Sequence, residues 1–220
     1  MNRLIVFGCS YTYGHGLQDC IASNGSGPGL YPSKFAWPQL VANVANLECI
    51  NQSDPGSSNQ QILWQIERFN FEVNDTVIIH WSFCNRAMYR TIKNDIVKIM
   101  PHYSKSKGLV LAKKYYALEN ELNMYDKTRI FLNYANYKLK NIGIKKIINF
   151  SPILEPNMEQ IITNLNLQYD FKTDDINLVH YHKKNLFPDA DTALDNSHPG
   201  PKTHQRFAEY ILGEYPWLKE

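Results

Sequence analysis

The sequence predicts an α/β domain of three layers, with a central parallel sheet and helices on both faces. Three observations carry this. Residues 3–7 make a short apolar run, Leu4 to Phe7, as in a strand covered on both sides, 76–81 is rich in Val and Ile, and 144–150 carries Ile144, Ile147, Ile148 and Phe150. Stretches with helical spacing separate them, giving a βαβαβαβ…α order that calls for parallel pairing. Each run stops at a loop rich in Gly, Ser, Asn or Pro, beginning with Gly8 after the first.

The elements follow in order. Residues 3–7 form the first strand, and 8–33 a long loop containing Asn24-Gly25-Ser26-Gly27-Pro28-Gly29. Loops of that length in compact domains tend to be functional. In 35–46, Phe35, Leu40, Val41 and Val44 share a helix face, and Pro38 fits only near the first turn. Residues 47–51 are the second strand. Ser53-Asp54-Pro55-Gly56-Ser57-Ser58 is a tight turn whose Ser57 or Ser58 caps a helix running to about 69, with Ile62, Ile66 and Phe69 inward. The third strand, 76–81, is rich in Val and Ile. Residues 83–113 mix aromatics and lysines around Pro101 and read as an irregular or helical insertion. Residues 114–141 read as one long helix closed by Gly143, followed by the fourth strand, 144–150. A helix near 157–165 and a short strand near 178–182 are expected next. Pro201 opens a last helix reaching 212.

Composition narrows the class. At 220 residues the chain is expected to form a single domain over 1–220. A net charge of +2 is too small to make nucleic acid or an anionic membrane the main partner. The four cysteines, Cys9, Cys20, Cys49 and Cys84, form no CxxC pair, which points to reduced thiols in the cytoplasm. The apolar start is too short for a leader, and no run reaches the roughly 18 residues of a membrane span.

Two stretches carry chemistry. Gly8-Cys9-Ser10 delivers a serine at the end of the first strand, and Asp195-Asn196-Ser197-His198-Pro199 places an aspartate three residues before a histidine. A serine hydroxyl needs a base, histidine supplies one, and a carboxylate holds the imidazole tautomer. In a parallel sheet the ligand crevice lies beyond the strands' carboxyl ends, where Ser10, Gly56 and Asn85 follow strands one to three. The order Ser…Asp…His is that of α/β-hydrolases, but the GxSxG elbow is missing.

These residues resemble the SGNH hydrolases, also called GDSL esterases and lipases, in four sequence blocks across nearly the whole chain. Gly8-Cys9-Ser10-Tyr11-Thr12 matches the first block, with Cys9 in place of the usual aspartate. Residues 51–59 resemble the second, and Asp195-Asn196-Ser197-His198-Pro199 fits the DxxHP pattern of the last. The third block departs from GxND: His80-Trp81-Ser82-Phe83-Cys84-Asn85-Arg86 lacks its glycine and puts Asn85 one residue late. The resemblance implies a flavodoxin-like fold and a Ser10–His198–Asp195 triad. It also implies an oxyanion hole of Ser10, Gly56 and Asn85, with Ser82 as a substitute for Asn85. It implies no metal or organic cofactor. The expected activity is hydrolysis of carboxylic esters through an acyl-serine, with an acetyl group on a carbohydrate ranked first.

Plainer readings stand beside these. Gly8-Cys9-Ser10 also reads as an ordinary turn, Asp195 and His198 as caps of the last helix, and Gly56 as a turn glycine. A degenerate relative that binds a glycan or protein is the alternative function. His180 and His182 share one side of a strand without completing a metal set. Lys105, Lys107, Lys113 and Lys114 with Tyr103, Tyr115 and Tyr116 read as a solvated face rather than a nucleic-acid patch. Tyr11, Tyr13, His15, Trp81 and Arg86 lie near the crevice as either sugar-stacking or core residues.

Overall fold

The computed structural model describes residues 2–22, 27–101, 107–150, 152 and 190–220. A four-stranded parallel sheet runs through it in the order β2-β1-β3-β6. The strands are β1 (Arg3–Phe7), β2 (Glu48–Asn51), β3 (Thr76–His80) and β6 (Lys146–Phe150). The two central strands carry the apolar runs Leu4–Phe7 and Val77–Ile79 because both of their faces are covered: every residue of β3, and Leu4 to Phe7 of β1, is buried.

Alternation along those strands sorts the core into two halves. Leu4, Val6, Ile78 and Ile148 point to one side, under α2 (Trp37–Ala45) and the C-terminal α6 (Pro201–Glu214). Ile5, Phe7, Val77 and Ile79 point to the other, under α3 (Asn59–Arg68) and α5 (Glu121–Ile142). The three-layer α/β arrangement expected from the sequence is therefore present. Ser58 is the cap of α3, its hydroxyl accepting from the Gln61 N–H at 3.2 Å. Pro38 and Pro201 both sit in first turns.

The strand edge is tied by charge. Arg3 of β1 donates from Nε and Nη2 to the two carboxylate oxygens of Asp75, each at 2.7 Å, just ahead of β3. Asp75 also accepts from the Glu72 N–H at 2.8 Å, and its side chain is 1% exposed. Asp75→Ala is expected to cost about 2 kcal/mol, because it removes the two-bond partner of a largely buried guanidinium, leaving it Glu72 and the Asn70 carbonyl, and orphans the Glu72 N–H. A lower urea midpoint at unchanged m would show it.

Two expectations are corrected. The stretch read as one helix over 114–141 is two, α4 (Lys107–Leu118) and α5. Asn120 breaks it: its backbone is extended (φ −126°, ψ 166°) and its side chain accepts from the Asn123 N–H, a bond that competes with helix continuation. The irregular or helical reading of 83–113 is also incomplete. Besides the start of α4 it holds an antiparallel hairpin of β4 (Ala87–Arg90) and β5 (Ile96–Ile99), packed through Ala87 and Ile99 on Ala112 of α4. The expected helix near 157–165, the strand near 178–182 and the His180/His182 pair lie outside the described residues. Among the described residues no helix is long and apolar enough to cross a membrane.

Candidate active site

The chain turns sharply after β1. Gly8 is followed by Cys9, the N-cap of the single-turn helix α1 (Ser10–Tyr13), so Ser10 begins a helix at the carboxyl edge of the sheet. Gly8 is needed for space: a Cβ there would lie 2.3 Å from Thr12 Oγ1. That hydroxyl bonds to Nδ1 of the fully buried His80 at 2.8 Å, while the Asn51 side-chain amide donates to the Thr12 carbonyl at 2.9 Å. The ends of β2 and β3 thus clamp α1 beneath Ser10.

The Gly56 turn follows β2. The Ser57 N–H donates to the Asp54 carbonyl at 3.0 Å, and Gly56 has φ +79°, so Pro55-Gly56 forms the central pair of a turn that needs a left-handed third residue. Lys98 of the hairpin pins this turn, donating to the Pro55 carbonyl at 2.5 Å and pairing with Asp54 at 2.8 Å. Sequence reading had assigned the hairpin no such part.

His198 and Asp195 sit in the loop before α6. The imidazole Nδ1 lies 2.5 Å from Asp195 Oδ2, and Oδ1 accepts from the N–H groups of Ser197 (3.0 Å) and His198 (3.1 Å). Partial burial works against ionisation of Asp195, yet the bonds from the Ser197 N–H and His198 outweigh it and bring its pKa down to about 2. An ionised carboxylate only accepts, so the hydrogen of this contact sits on Nδ1.

The capping alternative falls to another residue. Asp191 caps α6 from across the loop, accepting from the Thr203 N–H at 2.9 Å and the Lys202 N–H at 3.2 Å. Asp195 is left to His198.

Ser10, Gly56 and His198 open onto one cavity of about 240 Å³, whose wall also includes His15, Pro55, Arg86 and Met100. No hydrogen bond closes between Ser10 and His198 among the described residues; what they share is the cavity. The N–H groups of Ser10 and Gly56 likewise have no hydrogen-bond partner among the described residues. Asn85 is not in the cavity wall, and its carbonyl accepts from the Tyr116 hydroxyl at 2.5 Å. Ser82, its substitute, is fully buried and accepts from Arg86 Nη1 at 3.1 Å.

The aromatic residues near the crevice separate cleanly. Trp81 is core, fully buried with Nε1 donating to Asn149 at 3.1 Å, and the buried Tyr13 donates to the Gly29 carbonyl at 2.8 Å. Tyr11 and His15 flank the His198 ring, with centroids 5.4 Å and 4.4 Å away. Burial, then the neighbouring His198, lowers the pKa of His15 below its ordinary value, which favours the neutral ring. His15, Asp195 and His198 hold ligand atoms within 4.8 Å of one another, close enough to share a cation. Both oxygens of Asp195 are already engaged within its own loop. The sequence had no signal for His15 and Arg86 beyond their nearness to strand ends.

No protein-family model and no curated protein sequence matches the chain. Solved structures do. A lipolytic protein of the G-D-S-L family from Veillonella parvula DSM 2008 is similar at 12% identity, with a TM-score of 0.52 over 98% of this chain and 99% of that one. The psychrotrophic esterase EstA from Pseudoalteromonas sp. is similar at 13% identity, TM-score 0.54, over 100% of both chains. A carbohydrate esterase, described as having an active site with divergent catalytic and non-catalytic binding functions, is similar at 11% identity, TM-score 0.56, over 98% of this chain and 68% of that one. Identities of 11–13% speak to architecture: the chain has the three-layer α/β fold of the SGNH, or G-D-S-L, hydrolases.

Proposed function

We propose that this protein is a serine hydrolase of carboxylic esters, with an acetyl group on a carbohydrate as the substrate class ranked first. One observation carries the reading: Ser10 shares a small cavity with His198, whose ring is oriented by an ionised Asp195. A fold does not dictate a reaction, and the esterases among the similar structures support this one only by analogy.

In the proposed cycle His198 Nε2 takes the Ser10 proton as Oγ attacks the ester carbonyl. The resulting oxyanion meets the N–H groups of Ser10 and Gly56, two residues of the cavity wall; Asn85 is not in that wall. Collapse of the tetrahedral species breaks the C–O bond to the alcohol, which receives the proton from His198. Water, deprotonated by His198, then attacks the acyl-serine, and collapse breaks the C–Oγ bond, Ser10 taking the proton back from His198 as the acid leaves. The cavity's volume of about 240 Å³ suits a small acyl group.

The test is labelling with a fluorophosphonate followed by mass spectrometry. Modification of Ser10 is the expected result. A protein that binds glycans and never reacts at Ser10 would replace the enzyme by its binding alternative.

Gly56→Ala probes the oxyanion role. An added Cβ would meet Lys98 Cδ at 3.3 Å and Met100 Cε at 3.4 Å, both flexible side chains, so the main penalty is the φ of +79°. That strain is worth about 1–2 kcal/mol, and relaxing it turns the N–H away. A kcat lower by roughly 10²-fold is expected, the scale for losing one oxyanion donor. Wild-type kcat in a folded Gly56→Ala would remove Gly56 from the pocket.

A further inference from the structure

We propose that Arg86 makes this a site for anionic esters, its guanidinium gripping a carboxylate that the substrate carries beside the scissile bond. The inference rests on the esterase reading and narrows its substrate to acylated acids, such as an acetylated acidic sugar.

Arg86 lines the cavity with Ser10, Gly56 and His198, and among the described residues no carboxylate pairs with it. The carboxylates bonded to neighbours of the cavity wall are already committed. Asp195 is held by His198, and Asp54 by Lys98 and by the Gln61 side-chain amide at 2.5 Å. His15 favours its neutral form, so among the described residues the guanidinium is the uncompensated charge of this wall. Its field reaches the Tyr11 hydroxyl, where it opposes the effect of burial.

The guanidinium is also held in place. Nη1 donates to Ser82 Oγ at 3.1 Å and Cζ lies 4.3 Å from the centre of the Phe83 ring. Both partners come from the loop after β3, so the end of a central strand fixes the group. The Nε–Nη2 edge has no hydrogen-bond partner among the described residues. That edge is the part of an arginine that matches a carboxylate in two parallel hydrogen bonds.

Position adds a third point. Arg86 is also in the wall of a second cavity, of about 290 Å³, lined by Asn59, Ala87, Met124 and Thr128 among others. It is the residue the two walls have in common. A substrate with its ester at Ser10 and its body toward the second cavity passes the guanidinium.

Two aryl acetates with the same acyl group test this, 3-acetoxybenzoate and its uncharged counterpart 3-acetoxybenzamide. Wild-type protein is expected to favour the anion in kcat/KM by roughly 10–100-fold, the range of a charge-assisted pair. Arg86→Gln should bring the ratio near one, mainly through KM for the anion. Arg86→Lys should keep part of it, as a point charge without the fork. A wild-type ratio near one, or a ratio unchanged in Arg86→Gln, overturns the proposal while leaving the esterase intact. So does an equal loss of kcat on both esters, which would make Arg86 an oxyanion donor instead. Failure of Ser10→Ala to slow either ester would sink the esterase reading. Calorimetric titration of 3-hydroxybenzoate into wild type and Arg86→Gln reads the carboxylate grip without turnover, and no binding to wild type counts against it.

Discussion

Ser10→Ala is expected to lower ester turnover by about 10⁴–10⁶-fold and to abolish fluorophosphonate labelling, with the melting temperature nearly unchanged. The size follows from the proposed division of labour. Removing the nucleophile leaves the oxyanion donors and substrate binding, which by themselves hold roughly 10³–10⁴-fold over water in serine hydrolases. The near-silent stability follows from the site. Ser10 is 5% exposed and its hydroxyl makes no hydrogen bond among the described residues, so its loss orphans no partner. Alanine also suits the first position of α1. Steady-state kinetics on 4-nitrophenyl acetate beside a thermal melt checks both halves. Turnover within tenfold of wild type in a folded Ser10→Ala would remove Ser10 as nucleophile.

Phe207→Ala is expected to destabilise the fold by about 3–5 kcal/mol. Phe207 on α6 is fully buried, with its ring 5.4 Å from Trp37, 5.3 Å from Phe150 and 6.1 Å from His80. It therefore joins α2, β3 and β6 on one face of the sheet. Truncation opens a cavity between rigid rings that cannot collapse into it. At this chain length the loss corresponds to a melting temperature lower by roughly 10 °C. Activity should fall too, because His80 also holds Thr12 beneath Ser10. Tyr137→Ala on the exposed side of α5 is the control, expected to stay within about 0.5 kcal/mol. A melting point for Phe207→Ala within a degree or two of wild type would mean that this cluster does not hold α6 to the sheet.

Much of the fold was legible because burial writes itself into composition locally. A strand covered on both faces is apolar along its middle, and Leu4 to Phe7 and Val77 to Ile79 are. Ser58, Pro38 and Pro201 are readable for the same reason, since caps and first-turn prolines act within one turn of their own position. The break at Asn120 was not legible. Helical spacing continues across it, and only the chain's direction decides that the Asn side chain takes the Asn123 N–H. The hairpin of β4 and β5 was hidden because its strands are short and half-covered. Asp191 was hidden because it caps a helix that begins ten residues later, across a loop rather than along a turn.

By itself the sequence determined the layer order, the strand ends and a serine, an aspartate and a histidine at the sheet's carboxyl edge, all of them consequences of short-range pattern. Only the tertiary structure decided that Asp195 serves His198 while Asp191 caps α6. The same holds for Lys98, which pins the Gly56 turn, and for Arg86, which stands in the cavity wall where Asn85 was expected. Those assignments join residues distant in the chain. Which of two similar side chains reaches a given atom is a matter of distance, and distance is set when the layers pack.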